Sequence, residues 1–254
     1  MSYASLKNQI AVVTGGLSGI GLEATIKLLK NGAKVLVGDI TAEEKVESVL
    51  DTIKKRSGSN NVRFVRTDVS DYAANKNLVD QAVKQFGDLN LVFANAGIGQ
   101  VAPAHEIPYE QLERIVNVNL NGVFSLNKEA ITYWINNGKT GNIVNTGSFL
   151  SFVGDYGLSH YCASKAGVKL LTQTLAIEYA AKGIRVNSVN PGYTDTPILK
   201  DVPKETRELL ISRHPIGRLG TPQEIANAVI FLLSDQATFI NGTSLLVDGG
   251  YTAQ

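Results

Sequence analysis

The stretch IAVVTGGLSGIGLEATIKLLKNGAKVLVGD, Ile10 to Asp39, sets the architecture. Ile10 to Thr14 is a short apolar run rich in β-branched side chains, the composition of a strand buried on both faces. Glycines follow at 15, 19 and 21. Leu22, Ile26 and Leu29 then recur at helical spacing as far as Gly32, a residue suited to a left-handed helix stop. A second apolar run, Lys34 to Asp39, completes a strand, turn, helix, strand unit. Such a unit pairs its strands in parallel and lays the helix across one face of the sheet.

The alternation continues to the far end of the chain. Apolar runs recur in VRFVRTD (Val62 to Asp68), LNLVFAN (Leu89 to Asn95), GNIVNTGS (Gly141 to Ser148), IRVNSVNPG (Ile184 to Gly192) and TSLLVDGG (Thr243 to Gly250). Longer stretches of helical period separate them, among them SKAGVKLLTQTLAIEYAAKG, which ends at Gly183. The pattern predicts an α/β protein with a three-layer Rossmann fold: a seven-stranded, doubly wound parallel sheet with helices on both faces. No repeat, linker or change of composition marks a second unit, so residues 1–254 read as one dinucleotide-binding and catalytic domain. The least regular part, Thr194 to Pro215 with three prolines, is expected to be a lid over the substrate.

Lys and Arg total 24 against 23 Asp and Glu, so no strong field draws the protein to nucleic acid or a membrane surface. A small-molecule partner is expected instead. No apolar run reaches about 18 residues, and MSYASLKNQ lacks the basic start and apolar middle of a signal peptide, which makes the cytoplasm the expected location. Cys162 is the single cysteine and reads as a small, packed apolar group. His105, His160 and His214 are scattered, without the spacing of a zinc site.

The glycine turn stands between a strand and an amphipathic helix, where backbone N–H groups and the helix dipole favour a pyrophosphate. Gly15, Leu17, Ser18, Gly19, Ile20 and Gly21 are therefore candidate phosphate contacts. Asp39 ends the second strand 18 residues beyond Gly21, the spacing of a carboxylate that accepts hydrogen bonds from an adenosine ribose. A 2′-phosphate there would be repelled, and neither Gly16, Leu17 and Ser18 nor Ile40 supplies a cation. NAD is thus expected over NADP, with Ile40 beside the ribose and Asp68 and Val69 flanking the adenine.

SHYCASK, Ser159 to Lys165, places Tyr161 and Lys165 on one helical face. With TGGLSGIG (Thr14 to Gly21), ANAG (Ala94 to Gly97), NVNLNG (Asn117 to Gly122), Gly147–Ser148, YCASK and NPG (Asn190 to Gly192), the chain resembles the short-chain dehydrogenase/reductase family along nearly its whole length. Among its members it is similar to NAD-dependent secondary-alcohol dehydrogenases and carbonyl reductases of yeast and bacteria. The resemblance implies a catalytic set of Asn119, Ser148, Tyr161 and Lys165. Hydride addition to a ketone builds charge on oxygen, which calls for a proton donor. Tyr161 would be that donor, Lys165 would lower its pKa and hold the nicotinamide ribose, Ser148 would bind the substrate oxygen, and Asn119 would hold a relay water. Asn95, Ala96, Gly97, Pro191, Gly192, Thr194 and Thr196 complete the implied cofactor contacts, with transfer of the pro-S hydride.

An apolar wall of Phe149, Leu150, Val153, Tyr156 and Tyr193, with Val101, suits a hydrophobic ketone; Ser148, Leu150, Tyr156, Tyr161 and Tyr193 are the candidate substrate contacts. A medium-chain or aryl methyl ketone and its secondary alcohol are the expected pair. A 3-oxoacyl-thioester or diketone reductase is the alternative, for which Arg114, Lys128 and Arg213 could receive a carrier phosphate. A non-catalytic NAD-sensing or interaction protein is the reading from another class, and the retained tetrad argues against it. The resemblance further implies a homotetramer, built through the helices around 108–136 and 155–181 and through the last strand, and a structural magnesium held by the terminal carboxylate of Gln254.

Overall fold

The first two strands are buried along nearly all their length, so the sheet they begin must be covered on both sides. The computed structural model describes residues 3–200 and 202–254; Met1 and Ser2 of the N-terminal stretch, and Asp201 within the expected lid, lie outside them. Strands β1 (Ile10–Thr14), β2 (Lys34–Asp39), β3 (Val62–Arg66), β4 (Leu91–Ala94), β5 (Gly141–Thr146), β6 (Ile184–Pro191) and β7 (Ser244–Val247) form one sheet. Its order is β3-β2-β1-β4-β5-β6-β7, and every pairing is parallel. This is the expected seven-stranded Rossmann sheet. The strands stop up to three residues short of the predicted runs, because Asp68, Asn95, Ser148 and Gly192 already belong to loops at the carboxyl edge.

The period of two sorts the side chains into two cores. Ala11, Val13, Val35 and Val37 face α1 (Gly19–Lys30), α2 (Glu43–Ser57) and α8 (Pro222–Leu233). Val12, Leu36, Val92 and Ile143 face α3 (Tyr72–Phe86), α5 (Gly122–Asn136) and α6 (Ser159–Tyr179). Helix α4 (Tyr109–Val116) runs into α5 through a π turn, Asn117–Asn121. Strand order reverses between β1 and β4, which opens a crevice at the carboxyl edge where α/β sheets bind ligands.

Thr194 to Pro215 is more regular than its sequence suggests. A short 3-10 turn, Pro197–Leu199, precedes α7 (Lys204–Ser212). The helix starts directly after Pro203, and only Leu210 on it is buried, so it shows little apolar periodicity to read. The two stems of the excursion are tied together: the Gly220 N–H donates to Tyr193 O and the Asp195 N–H donates to Gly220 O, both at 2.9 Å. No helix among the described residues is long and apolar enough to cross a membrane.

Trp134 anchors the second core. It has no exposed surface, and its indole N–H donates to Leu89 O at 2.7 Å. Trp134→Ala is expected to cost about 3–5 kcal/mol through the cavity and the orphaned carbonyl, measured as a lower urea midpoint.

Candidate active site

Both halves of the site grow from loops at the carboxyl edge. Gly15 has φ +63°, and a Cβ there would lie 3.0 Å from the Ala96 Cα, so the glycine loop lies close against the loop after β4. Thr14 Oγ1 accepts the N–H groups of Asn95 and Ala96 at 3.0 and 3.2 Å, and Asn95 Nδ2 returns to the Thr14 and Gly15 carbonyls. Gly19, Ile20 and Gly21 form the first turn of α1, whose N–H groups lack intrahelical partners. Ser18 precedes them as the helix N-cap. Thr196 closes over this turn, 3.5 Å from the position a Cβ on Gly19 would take.

Asp39 is buried at the end of β2. Its Oδ2 accepts the Leu17 N–H at 3.0 Å, and Oδ1 accepts the N–H and hydroxyl of Thr41 at 3.0 and 2.8 Å. A groove of about 500 Å³ opens beside it, lined by Gly15, Ser18, Asp39, Ile40, Asp68, Val69, Ala96 and Gly97, all expected cofactor contacts. Asp68 is held below the usual carboxylate range, first by the Ser70 hydroxyl and then by the Ser70 N–H. A cation does arrive from outside the stretch first considered: Arg66 Nη1 donates to the Ile40 and Thr41 carbonyls at 3.4 and 3.3 Å.

The chemical end is compact. Ser148 is buried beyond β5, held by a hydrogen bond from its N–H to Asn190 Oδ1 at 3.2 Å. Its Oγ accepts the Leu150 N–H at 3.1 Å, so it caps a short 3-10 turn, and its hydroxyl acts to lower the Tyr161 pKa. Lys165 is 2 % exposed, donates from Nζ to Thr146 O at 2.7 Å, and stands 5.8 Å from the centroid of the Tyr161 ring. A Cβ on Gly97 would come within 3.5 Å of Lys165 Nζ and 3.3 Å of Asn119 Oδ1, so bare backbone faces both side chains.

Two expectations change. Lys165 does not bring the Tyr161 phenol below its ordinary value here; partial withdrawal from water pushes it up to about 12, and the Ser148 hydroxyl opposes that rise. Burial acts on the lysine as well and brings it down to about 8. The amide of Asn119, set in the π turn, is already committed: Oδ1 accepts the Ile98 N–H, while Nδ2 donates to Ile98 O and Ser164 Oγ. Its side chain therefore stitches the turn to the β4 loop and α6.

The expected substrate wall divides. Phe149 and Leu150 are buried with Leu158 in a cluster against which Tyr161, Cys162, Tyr193 and Tyr251 pack, whereas Val101, Val153 and Tyr156 are exposed. Thr194 spends its hydroxyl on Gly192 O at 2.9 Å. Gly192 carries no Cβ because one would lie 2.8 Å from the Asp248 Cα. Arg114, Lys128 and Arg213 do not form a patch. Arg114 lines the groove, Lys128 pairs with Glu129, and Arg213 pairs with Asp155. Among the described residues no three His, Cys, Asp or Glu side chains gather as a metal site; Gln254 donates its amide to Arg213 O.

The chain is similar to known proteins along nearly its whole length. A family model described as enoyl-(acyl carrier protein) reductase matches residues 15–252. A cis-4-hydroxycyclohexanecarboxylate dehydrogenase of Sinomonas cyclohexanicum is 43% identical over 246 residues, covering 96% of this chain and 97% of that protein. A cyclohexanol dehydrogenase of an Acinetobacter species, strain SE19, is 42% identical over 249 residues, covering 97% and 96%. The crystal structure of a short-chain type dehydrogenase/reductase from Mycobacterium marinum superposes with a TM-score of 0.93 at 31% identity, covering 99% of this chain and 98% of that one.

The chain belongs to the short-chain dehydrogenase/reductase family. It is an oxidoreductase of CH–OH groups that interconverts secondary alcohols and ketones. Sequence reasoning on this short-chain dehydrogenase/reductase missed Thr14, Asn190 and Asp155, whose roles lie in partners far along the chain. Polarity alone did not mark Asn190, because its strand, IRVNSVNP, also carries Arg185, Asn187 and Ser188.

The buried lysine has a pH signature. Its folded pKa lies below the ordinary 10.5, so between about pH 8 and 10.5 the unfolded chain binds the additional proton and stability rises with pH. Lys165→Met removes the buried charge. The variant is expected to be more stable than the parent at pH 7 by up to about 3 kcal/mol, an advantage that shrinks to nothing by pH 10.5 in denaturant titrations.

Proposed function

We propose that this oxidoreductase is a cytoplasmic, NAD-dependent dehydrogenase of small hydrophobic ring alcohols, with Tyr161 as the group that moves the proton. The observation that carries the reading is the convergence of buried Ser148 and buried Lys165 on the half-buried Tyr161 at the carboxyl edge of the sheet. Nicotinamide chemistry is the family's general mode, and the bound ring supplies or accepts the hydride, on its pro-S face by family resemblance. Gly15, the first turn of α1 and Thr196 would hold the phosphates, Asp39 the adenosine ribose, and Lys165 and Gly97 the inner ribose. Asp39 favours NAD because a 2′-phosphate would meet its charge, while Arg66 reaches only the neighbouring carbonyls.

Ser148 donates to the substrate oxygen and keeps it against Tyr161. The Tyr161 phenol gives its proton to that oxygen when a ketone is reduced, and takes it back when an alcohol is oxidised. A phenol held near 12 is a weak acid whose phenolate is scarce near neutral pH, so alcohol oxidation needs added positive charge at the site to favour the phenolate, which the ammonium form of Lys165, and an oxidised nicotinamide ring when bound, would supply. Asn119 acts as a positioning residue. With its amide engaged, the relay water assigned to it would rest on the main chain of the π turn.

The apolar cluster of Phe149 and Leu150 suits a hydrocarbon ring, and the names of the two relatives move the preferred substrate from open-chain ketones to six-membered ring alcohols. The scattered Arg114, Lys128 and Arg213 offer no docking patch for a thioester carrier. The 194–215 segment is the lid of what we take to be a single 1–254 domain. Phe124 and Ile135 on α5 and Leu170 and Ile177 on α6 are exposed apolar side chains, and β7 is an uncovered edge strand, which together support a homotetramer. Among the described residues no cluster of three His, Cys, Asp or Glu side chains accompanies Gln254, so a magnesium ion there would draw its other ligands from other copies.

Initial rates with cyclohexanone, 2-octanone and an acetoacetyl thioester, each with NADH and NADPH, test the reading. NADH-linked turnover of the free ketones, with cyclohexanone ahead, is expected; preference for the thioester overturns the substrate class, and preference for NADPH overturns the role of Asp39. Tyr161→Phe is expected to lower kcat/KM by about 10²–10⁴-fold, and parental turnover would return the proton transfer to another group.

A further inference from the structure

Asp155 lies in the loop between Ser148 and Tyr161, with its side chain 12% exposed. Three donors converge on its carboxylate. The Tyr193 hydroxyl donates to Oδ2 at 2.7 Å, Arg213 Nη1 donates to Oδ1 and Oδ2 at 3.1 and 3.3 Å, and the Tyr156 N–H donates to Oδ1 at 2.8 Å. Arg213 comes from the end of the lid helix α7, 58 residues away. Its guanidinium is held above its ordinary range first by a hydrogen bond with Tyr251 and then by the charge of Asp155.

This ion pair stands behind an aromatic wall. The Tyr193 ring packs edge-on to Phe149, with centroids 5.1 Å apart, and the Tyr251 ring lies 4.4 Å from Phe149 and 6.2 Å from Tyr193. Tyr193 thus presents its ring to the Phe149 cluster, which also holds Tyr161, and its hydroxyl to the ion pair. The Tyr193 ring stands between the pair and Phe149.

A ring alcohol that carries a carboxylate at the fourth carbon puts its charge on the side opposite the reacting C–OH. With that oxygen on Ser148 and Tyr161, a carboxylate directed away from Lys165 would meet the aromatic cluster that packs against Tyr161. An anion there needs a cation with nothing else to pair with. Arg213 is the basic side chain at the wall, and Asp155 both occupies it and adds a negative charge of its own.

We propose that Asp155 is a specificity-determining residue: by holding Arg213 paired behind the Tyr193–Phe149–Tyr251 wall it selects neutral ring alcohols and excludes those bearing a carboxylate. The inference rests on the ring-alcohol reading above and decides between the two substrate types named for the chain's relatives. Pairing one charge with a built-in opposite one, so that an unwanted anion meets a cancelled field, is specificity by exclusion. The same contacts also anchor the lid, so the test must separate selectivity from mere anchorage.

The measurement is kcat and KM for cyclohexanol and cis-4-hydroxycyclohexanecarboxylate in the parent, Asp155→Asn, Asp155→Glu and the double variant Asp155→Asn/Arg213→Gln. The parent is expected to favour cyclohexanol. Asp155→Asn keeps an acceptor for Tyr193 and is expected to raise the carboxylate-to-neutral ratio of kcat/KM by about tenfold, through KM, with the gain shrinking as salt is added. Asp155→Glu keeps the charge and is expected to hold the parental ratio, and the double variant is expected to lose the gain. A ratio that stays put in Asp155→Asn while both substrates slow together marks an anchor only and overturns the proposal. So does a gain that survives in the double variant, or a parent that prefers the carboxylate. Parental turnover of cyclohexanol supports the underlying reading; its absence overturns both readings, whereas turnover with an unmoved ratio overturns the role of Asp155 alone.

Discussion

The hydrogen bond from Lys165 Nζ to the Thr146 carbonyl joins a helix to the end of a central strand and fixes the rest of the site around it. A lysine so deeply buried is costly as a cation, and the carbonyl at 2.7 Å is the partner that keeps it there. Because Lys165 is pinned, Tyr161 one turn earlier has little freedom to shift along the helix. Ser151 Oγ, donating to the Lys165 carbonyl at 2.8 Å, ties the same helix to the turn that carries Ser148. Ser148 is held in turn by Asn190 from the next strand. The reacting groups thus inherit the rigidity of the sheet rather than the mobility of their loops.

The fold was legible because its signals are local. Val12, Val13, Leu36 and Val37 stand in runs that only a strand covered on both faces explains, and the glycine turn between β1 and α1 has a spacing with one reading. Legibility failed where the signal depended on something else. Helix α7 buries one residue, Leu210, and its charged outer face follows a proline, so periodicity and punctuation both pointed toward irregular chain. The strand ends ran long because the predicted runs carry on to the polar or glycine residues that follow them, among them Asp68, Asn95, Ser148 and Gly192, which the hydrogen-bond ladder has already left.

The site shows the same division. The motifs and the family resemblance offered Tyr161, Lys165, Ser148 and Asp39 as candidates, and the fold gathers the first three at the carboxyl edge of the sheet and sets Asp39 at the end of β2. The direction in which Tyr161 is perturbed depends on how much water the fold removes, and no spacing reports that. Asn119 lies close to Lys165 beside Gly97, but its engagement with Ile98 and Ser164 belongs to a π turn that no residue in NVNLNG announces. Asp155 and Arg213 look like ordinary surface charges in sequence, and only the return of the chain after the lid makes them partners.

The parallel bridge that ties Thr194 to Gly220 has a consequence for how such an enzyme changes over generations. Between those fixed stems the chain leaves the sheet and comes back to the same place, so the intervening segment is a closed excursion. Lengthening or rewriting a loop whose ends are already joined adds an entropy that grows only with the logarithm of its length. Innovation in substrate range is therefore cheap in this one segment, while the strands and the proton-handling groups need not be touched.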